Sequence, residues 1–426
     1  MGWRLATLGG PLWAGVLAAP GAAQDAELQS RIRDALDMAR PALLDHLDEA
    51  GRGSTRPGEL ALVVLAALHD GVPIGERAMQ LAMKRLSKAR PNQTYDLSLR
   101  LMVLEACPEF PDRDELAEED AKDLLRHRCD EGTFQYNRRP SAWDLSNTQY
   151  GALGLRAAAA LDQRIGRDVW AALAREVGEQ QRDNGGFGYT KRFSGFDDYA
   201  SMTAAGIAVL AICRQQLGDR HASAKVLDRR IEHGWRWFAD HASVIGSTKE
   251  RWSYYFHYGL ERAAILCDVV EIDGRTDWYA EGARMLVDEQ LPGGGWRSAT
   301  DGFPGHHLSR GRGDAVPTSF AVLFLRRKFQ KVSGPITPHI VTLAAVGPKS
   351  KQGDVDACAQ WLIGRGKEAM HDIVKGLRSD IEPQRRAAAQ ALVGIAGEDF
   401  GYDPAADRDT NRDAVQRAEL WYLRNR

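Results

Sequence analysis

Hydrophobic and polar positions fall into twelve helical patterns of two alternating kinds. The first kind carries an apolar stripe and a charged face: residues 27–47, 76–89, 117–129, 169–181, 229–242 and 278–290. The second is apolar nearly all round: residues 58–68, 94–106, 145–161, 200–216, 254–269 and 318–329. A helix that is apolar on every face must be buried, whereas an amphipathic one can cover it. The alternation therefore predicts an all-α fold in which an outer ring of helices wraps an inner ring. Successive outer helices start ~50 residues apart, the behaviour of a repeat array. An open array needs polar caps at both ends, and neither end pair here has one. Closure into an α/α toroid of six helical hairpins, spanning residues 25–330, is the expectation.

The connections repeat as well. Gln181 is followed by Gly185, Gly186 and Phe187, and Gln290 by Gly293, Gly294, Gly295 and Trp296, with a reduced copy at Gly132 and Phe134. Glycine permits the positive φ needed where a helix stops. The glutamine amide can bond nearby backbone and the ring can pack on the next hairpin, so these turns read as structural.

Beyond the twelfth pattern the character changes. Residues 331–353 hold Pro335, Pro338 and Pro348 among several glycines and read as a linker. Residues 354–426 follow, with helical runs at 355–363, 367–377 and 382–395. The basic, Ala-rich run 383–392 is similar to a HEAT-type repeat, a helical pair that stacks on a neighbour. This tail is expected to pack on the toroid or on a protein partner.

Composition refines the picture only in places. The 426 residues carry a formal net charge of -2, so no overall field favours nucleic acid. Hydrophobic residues make up 44%, enough for a sizeable core. At the N-terminus, Arg4, the apolar run 5–19 and the small residues Gly21, Ala22 and Ala23 have the order of a secretory signal, with cleavage after Ala23. Pro11, Pro20 and the glycines between make the same stretch a poor membrane anchor, which needs ~20 apolar residues. The expected protein is thus exported, periplasmic or extracellular, with no transmembrane segment in the mature chain. The five cysteines show no Cys-x-x-Cys pair, and Cys213 and Cys267 read as small core residues. No metal-ligand spacing and no cofactor motif is evident.

The turn at Gln290, Gly294 and Trp296 resembles the QW repeats of squalene cyclases, and the segments 144–150, 201–206 and 254–262 are similar to a large bacterial group described as prenyltransferase/squalene oxidase repeat proteins. The resemblance covers roughly residues 25–330 and implies the terpenoid cyclase/protein prenyltransferase toroid; one toroid hosts several unrelated activities. Class II cyclases of this family protonate an alkene with the middle Asp of an Asp-x-Asp-Asp motif inside an aromatic chamber. The resemblance therefore points to Asp197 and Asp198 as the only catalytic acids on offer. Gly195 replaces the first Asp, and aligning the helix itself puts Tyr199, Ser201 and Met202 at the acidic positions, leaving no carboxylate.

The zinc set of the prenyltransferases is incomplete, since no Asp-x-Cys lies in the toroid and His257 lacks a partner in sequence. The Gly-Cys-Gly-Glu-Gln of thioester proteins is absent. A glycosidase of paired carboxylates would draw on Asp144, Asp198, Glu261 and Asp314. A non-catalytic reading places a ligand at the concave centre. Its lining would come from inner-helix starts: Asn147, Gln149, Ser201, Thr203, Tyr255, His257, Tyr258, Glu261 and Arg262. Aromatic faces beside guanidinium donors suit a hydrophobic or amphiphilic small molecule. Each of these residues also has a structural alternative as a cap, an ion pair or core.

Overall fold

In the computed structural model the described residues are 20–137, 143–191, 197–247, 252–272, 274–298, 311–327, 346–348, 350, 352–364, 369–407 and 409–424. They form an all-α protein. The outer helices are α1 (Pro20–Arg52), α3 (Arg77–Lys88), α5 (Arg113–Arg126), α7 (Arg167–Glu179), α9 (Ala224–Asp240) and α11 (Trp278–Asp288). The inner helices are α2 (Pro57–Asp70), α4 (Thr94–Ala106), α6 (Leu145–Ala160), α8 (Ala200–Leu217), α10 (Ser253–Cys267) and α12 (Ala315–Arg326). Each inner helix packs on the next in this order, and α12 packs on α2, so the ring closes. Outside it, α1 touches both α3 and α11.

Local chemistry explains the element ends. Asp144 caps α6 by accepting from the Asn147 N–H, and Asp277 caps α11 by accepting from Ala280. Helix α12 begins at Ala315, three residues before the expected start, because Pro317 lies in its first turn, where no intrahelical N–H is required. Inner helices α6 and α8 are buried along almost their whole length, whereas α3 and α9 bury one stripe. Cys213 and Cys267 are fully buried within inner helices. Arg100 on α4 holds Asp120 on α5 through two short bonds of 2.6 and 2.7 Å, both side chains being buried.

Four further helices, α13 (Gln352–Gly364), α14 (Met370–Leu377), α15 (Glu382–Ala396) and α16 (Arg412–Arg424), share a separate apolar cluster that includes Val355, Leu362, Ile373 and Leu392. The last of these was not expected from sequence. Its buried stripe is Ala414, Val415 and Ala418, too small to stand out in a polar segment. Val346, within the expected linker, is buried in this same cluster, where its carbonyl accepts from Gln384. Most of 331–353, and residues 1–19 of the expected signal segment, lie outside the described residues; a cut after Ala23 would remove the first turn of α1. Among the described residues no helix is long and apolar enough to cross a membrane.

Candidate functional site

Every inner helix is preceded by an outer helix running the opposite way, so all six inner helices start at one end of the ring, its mouth. The glycine-aromatic turns build that end. Gln181 donates to the Gly185 carbonyl of its own turn and to Arg230 on α9, at 3.0 and 2.8 Å. Gln290 does the same for Gly294 and for Ala35 on α1. The aromatic residue then donates its backbone N–H to a threonine hydroxyl on the inner helix: Phe134 to Thr148, Phe187 to Thr203, Trp296 to Thr318. The ring of Phe134 lies against Gly151 and that of Phe187 against Gly206, each three residues beyond the threonine. Thr203 is thus committed to a turn.

Within the mouth lies a recess of tyrosines. Tyr95 (α4) packs on Tyr136 and Tyr150, with centroids 5.9 and 4.2 Å away, and Tyr150 (α6) stacks on Tyr255 (α10) at 6.2 Å. The Tyr255 hydroxyl donates to Gln149 at 2.7 Å. Tyr95 and Tyr189 both engage Ser146, whose own hydroxyl donates to Asp144 at 2.8 Å. Tyr95, Tyr189 and Tyr255 sit deep among protein atoms yet keep partial exposure, so they border a depression open to water. Burial, and then the neighbouring phenols and Asp144, hold the hydroxyls of Tyr95 and Tyr255 well above their ordinary pKa; burial and Asp144 do the same for Tyr189. All three remain protonated donors at neutral pH. Asn147 lies behind this layer, its amide donating to both oxygens of Asp144.

Below the recess the ring is filled. Arg262 lies over the Tyr258 ring, 4.5 Å from its centroid, and pairs with Glu261 at 2.5 Å. Tyr258 packs on Phe320 of α12, with centroids 5.1 Å apart. Arg156 of α6 pairs with Glu105 of α4 at 2.5 Å and feels the charge of Arg262. A side chain lining a chamber large enough for water would show accessible surface. Tyr150, Arg156, Tyr258 and Arg262 show 2% or less. Burial pushes the Glu261 carboxyl up, with Arg262 opposing it.

The remaining sequence candidates go elsewhere. Asp198 accepts from the Trp237 indole at 2.6 Å and from Asn184 at 3.1 Å, with Arg182 nearby, so its carboxylate serves the turn before α8 and the outer helix α9. Asp197 is exposed. His257 is fully buried; its Nδ1 donates to the Ser253 carbonyl at 2.7 Å and its Nε2 accepts from the Gly246 N–H at 3.1 Å. Ser201 is buried in the first turn of α8. The four glycosidase carboxylates have separate structural engagements: Asp144 caps α6, Asp198 holds Trp237, Glu261 pairs with Arg262, and Asp314 faces Arg297 and His46. Among the described residues no group of three or more His, Cys, Asp or Glu side chains could hold a metal ion.

The structure thus brings together Gln149 and Tyr255 at the recess and Tyr258, Glu261 and Arg262 beneath it. Tyr95, Tyr136 and Tyr189 were missed by sequence reasoning. Tyr95 had a legible signal: it occupies the second position of α4, close to the place Tyr255 holds as the third residue of α10. Tyr136 and Tyr189 lie outside any helix, where periodicity says nothing.

No protein-family profile matches the chain, and no curated protein matches it. Solved structures similar to it include the type II terpene cyclase MstE from Scytonema in complex with merosterolic acid A, at 14% identity and TM-score 0.47, covering 71% of this chain and 98% of that one. A possible GH105-family protein from Klebsiella pneumoniae aligns at 15% identity and TM-score 0.47, covering 76% and 98% respectively. Another possible GH105 member, from Salmonella enterica, aligns at 15% and 0.48, covering 69% and 93%.

Proposed function

We propose that the protein is an exported, non-catalytic binding toroid, and that the tyrosine recess receives the polar end of an amphiphilic small molecule. The observation that carries this reading is the filled ring. Cyclisation of a polyene needs a deep chamber whose aromatic faces meet a travelling carbocation. Here side chains from α4, α6, α10 and α12 meet across the ring, two guanidinium groups stand beneath them, and Asp198 is tied to Trp237. What remains at the mouth is a set of protonated phenols with partly exposed rings. The single proton of each phenol is engaged within the protein, Tyr255 on Gln149 and Tyr95 and Tyr189 at Ser146, so toward a ligand they offer oxygen lone pairs that accept and ring faces that cover apolar surface. In the same reading the tail is a HEAT-like unit for a protein partner, for which its exposed Val393, Leu420 and Leu423 offer apolar side chains.

The test is to incubate the chain from Gln24 onward with a mixed extract of isoprenoids and envelope lipids, then to read bound molecules and new products by mass spectrometry. The expected result is an unchanged amphiphile whose retention falls about tenfold in Tyr255→Phe, the scale of one lost hydrogen bond. Conversion of a polyene that disappears in Asp197→Asn would overturn the reading in favour of a class II cyclase.

A further inference from the structure

The tyrosine recess has a sign of charge as well as a shape. Its protons run inward: Tyr255 donates to the amide oxygen of Gln149, Tyr95 and Tyr189 engage Ser146, and the Ser146 hydroxyl donates to Asp144. The network thus ends on a carboxylate, which is 2% exposed. Asp144 accepts from the Ser146 hydroxyl, from the Asn147 N–H and, through both oxygens, from the Asn147 amide. A carboxyl that only accepts is in its ionised form. Burial raises its pKa, and these donors oppose the rise. All of them are neutral, so they hold the charge in place without cancelling it, and a buried charge is screened little by salt.

What the recess presents to a ligand is therefore electron-rich. The rings carry negative faces, and the phenol oxygens keep lone pairs. Tyr136 is 41% exposed and lies nearly parallel to Tyr95, 5.9 Å away at 23°, so one of its faces is covered and the other meets water. Cations at the mouth are turned to other carboxylates: Lys191 pairs with Glu131 at 2.6 Å and Arg312 with Asp45 at 2.8 Å, while Arg182 and Arg297 face Asp198 and Asp314 at 3.7 and 3.8 Å. An anionic head would be repelled by Asp144 and by the ring faces alike. A cationic head is attracted by both, and a cation over one ring face is worth roughly two- to thirtyfold in affinity, the more as water is excluded.

We propose that the polar end received by the tyrosine recess is the ammonium head of a protonated alkylamine, its charge lying against the open face of Tyr136 and within the field of Asp144. The inference rests on the amphiphile reading of the recess and adds the sign of the head group. It is tested by calorimetric titration of the full chain at pH 7 and constant ionic strength with three six-carbon amphiphiles that differ only in the head: hexylammonium, hexyl sulfate and hexyl glucoside. The expected result is saturable binding of hexylammonium, at least tenfold tighter than either of the others. That affinity should fall at least threefold in Tyr136→Leu, while Tyr136→Phe, which keeps the ring face, retains most of it. It should also fall at least threefold in Asp144→Asn, whose side chain can still cap α6. Circular dichroism verifies that the variants are folded. Tighter binding of hexyl sulfate or hexyl glucoside, weakened by Tyr255→Phe, would overturn the cationic head and leave the recess as the binding site. No saturable binding of any of the three would overturn both readings. Unchanged hexylammonium affinity in folded Tyr136→Leu and Asp144→Asn would overturn the proposal by placing the cation elsewhere.

Discussion

Protonating His257 should weaken the ring from within. The imidazole is fully buried between a carbonyl acceptor on one side and a backbone N–H donor on the other. That arrangement fixes a single neutral tautomer, because a proton on Nε2 would point at the N–H of Gly246. Desolvation drives its pKa from the ordinary 6.5 down to about 4, against the smaller opposing effect of the Ser253 carbonyl. The folded value is the lower one, so the unfolded chain binds the extra proton and stability is lost as pH falls. The loss begins below about 6.5 and is complete below about 4. A gap of this size corresponds to about 3 kcal/mol in full, of which about 2 kcal/mol is lost by pH 5.

The assay is urea unfolding of wild type and His257→Gln at a series of pH values from 8 to 5. At pH 8 the variant should be the less stable by ~1–3 kcal/mol, having disturbed two buried hydrogen bonds. Its disadvantage should shrink by about 2 kcal/mol on going to pH 5, because it has no proton to take up. A difference between the two proteins that stays constant across this range would refute the reasoning and mean that His257 does not titrate with folding.

Other expectations concern the ring's joints. Gln290→Ala removes the bonds to Ala35 and Gly294 and should lower stability by ~1–3 kcal/mol in denaturant unfolding, with Gln181→Ala behaving alike. Gly206→Ala places a methyl group 2.6 Å from Phe187 and should cost ~1–3 kcal/mol, relieved in part when Phe187→Leu is added. Arg100→Leu leaves Asp120 buried without its cation and should cost ~3–5 kcal/mol, visible as a lower Tm, whereas the double change Arg100→Leu with Asp120→Leu should recover much of the loss.

Much of the toroid was legible in the sequence because burial there is written twice, once as two kinds of helical pattern and once as a repeated turn. Inner helices such as α8, with Ala204, Ala205, Ala208 and Ala211, admit no polar face and so declare their place in the ring. The site was less legible for a physical reason. A tyrosine in the mouth and a tyrosine in the core look the same along the chain; Tyr255 and Tyr258 differ in exposure only because helix rotation turns one toward the depression and the other under Phe320. Polar residues at inner-helix starts are ambiguous in the same way. Thr203 and Asp198 hold turns while Gln149 meets Tyr255 from the opposite side of α8, and the distinction depends on partners 16, 39 and 106 residues distant.

Closure of the ring also dictates when the protein can first exist. The carbonyl of Ala35 waits for the amide of Gln290, 255 residues later, and Asp70 waits for Arg326, 256 residues later. At ribosomal rates of roughly 5–20 residues per second, the face that α1 and α2 reserve for the last hairpin stays uncovered for about 10–50 seconds. A nascent chain of five hairpins is therefore a half-finished clasp with its sticky edges apart, and two such chains could fasten each to the other. Anything that holds the first helix during synthesis, whether a chaperone or a translocation channel, would decide whether the ring closes on itself.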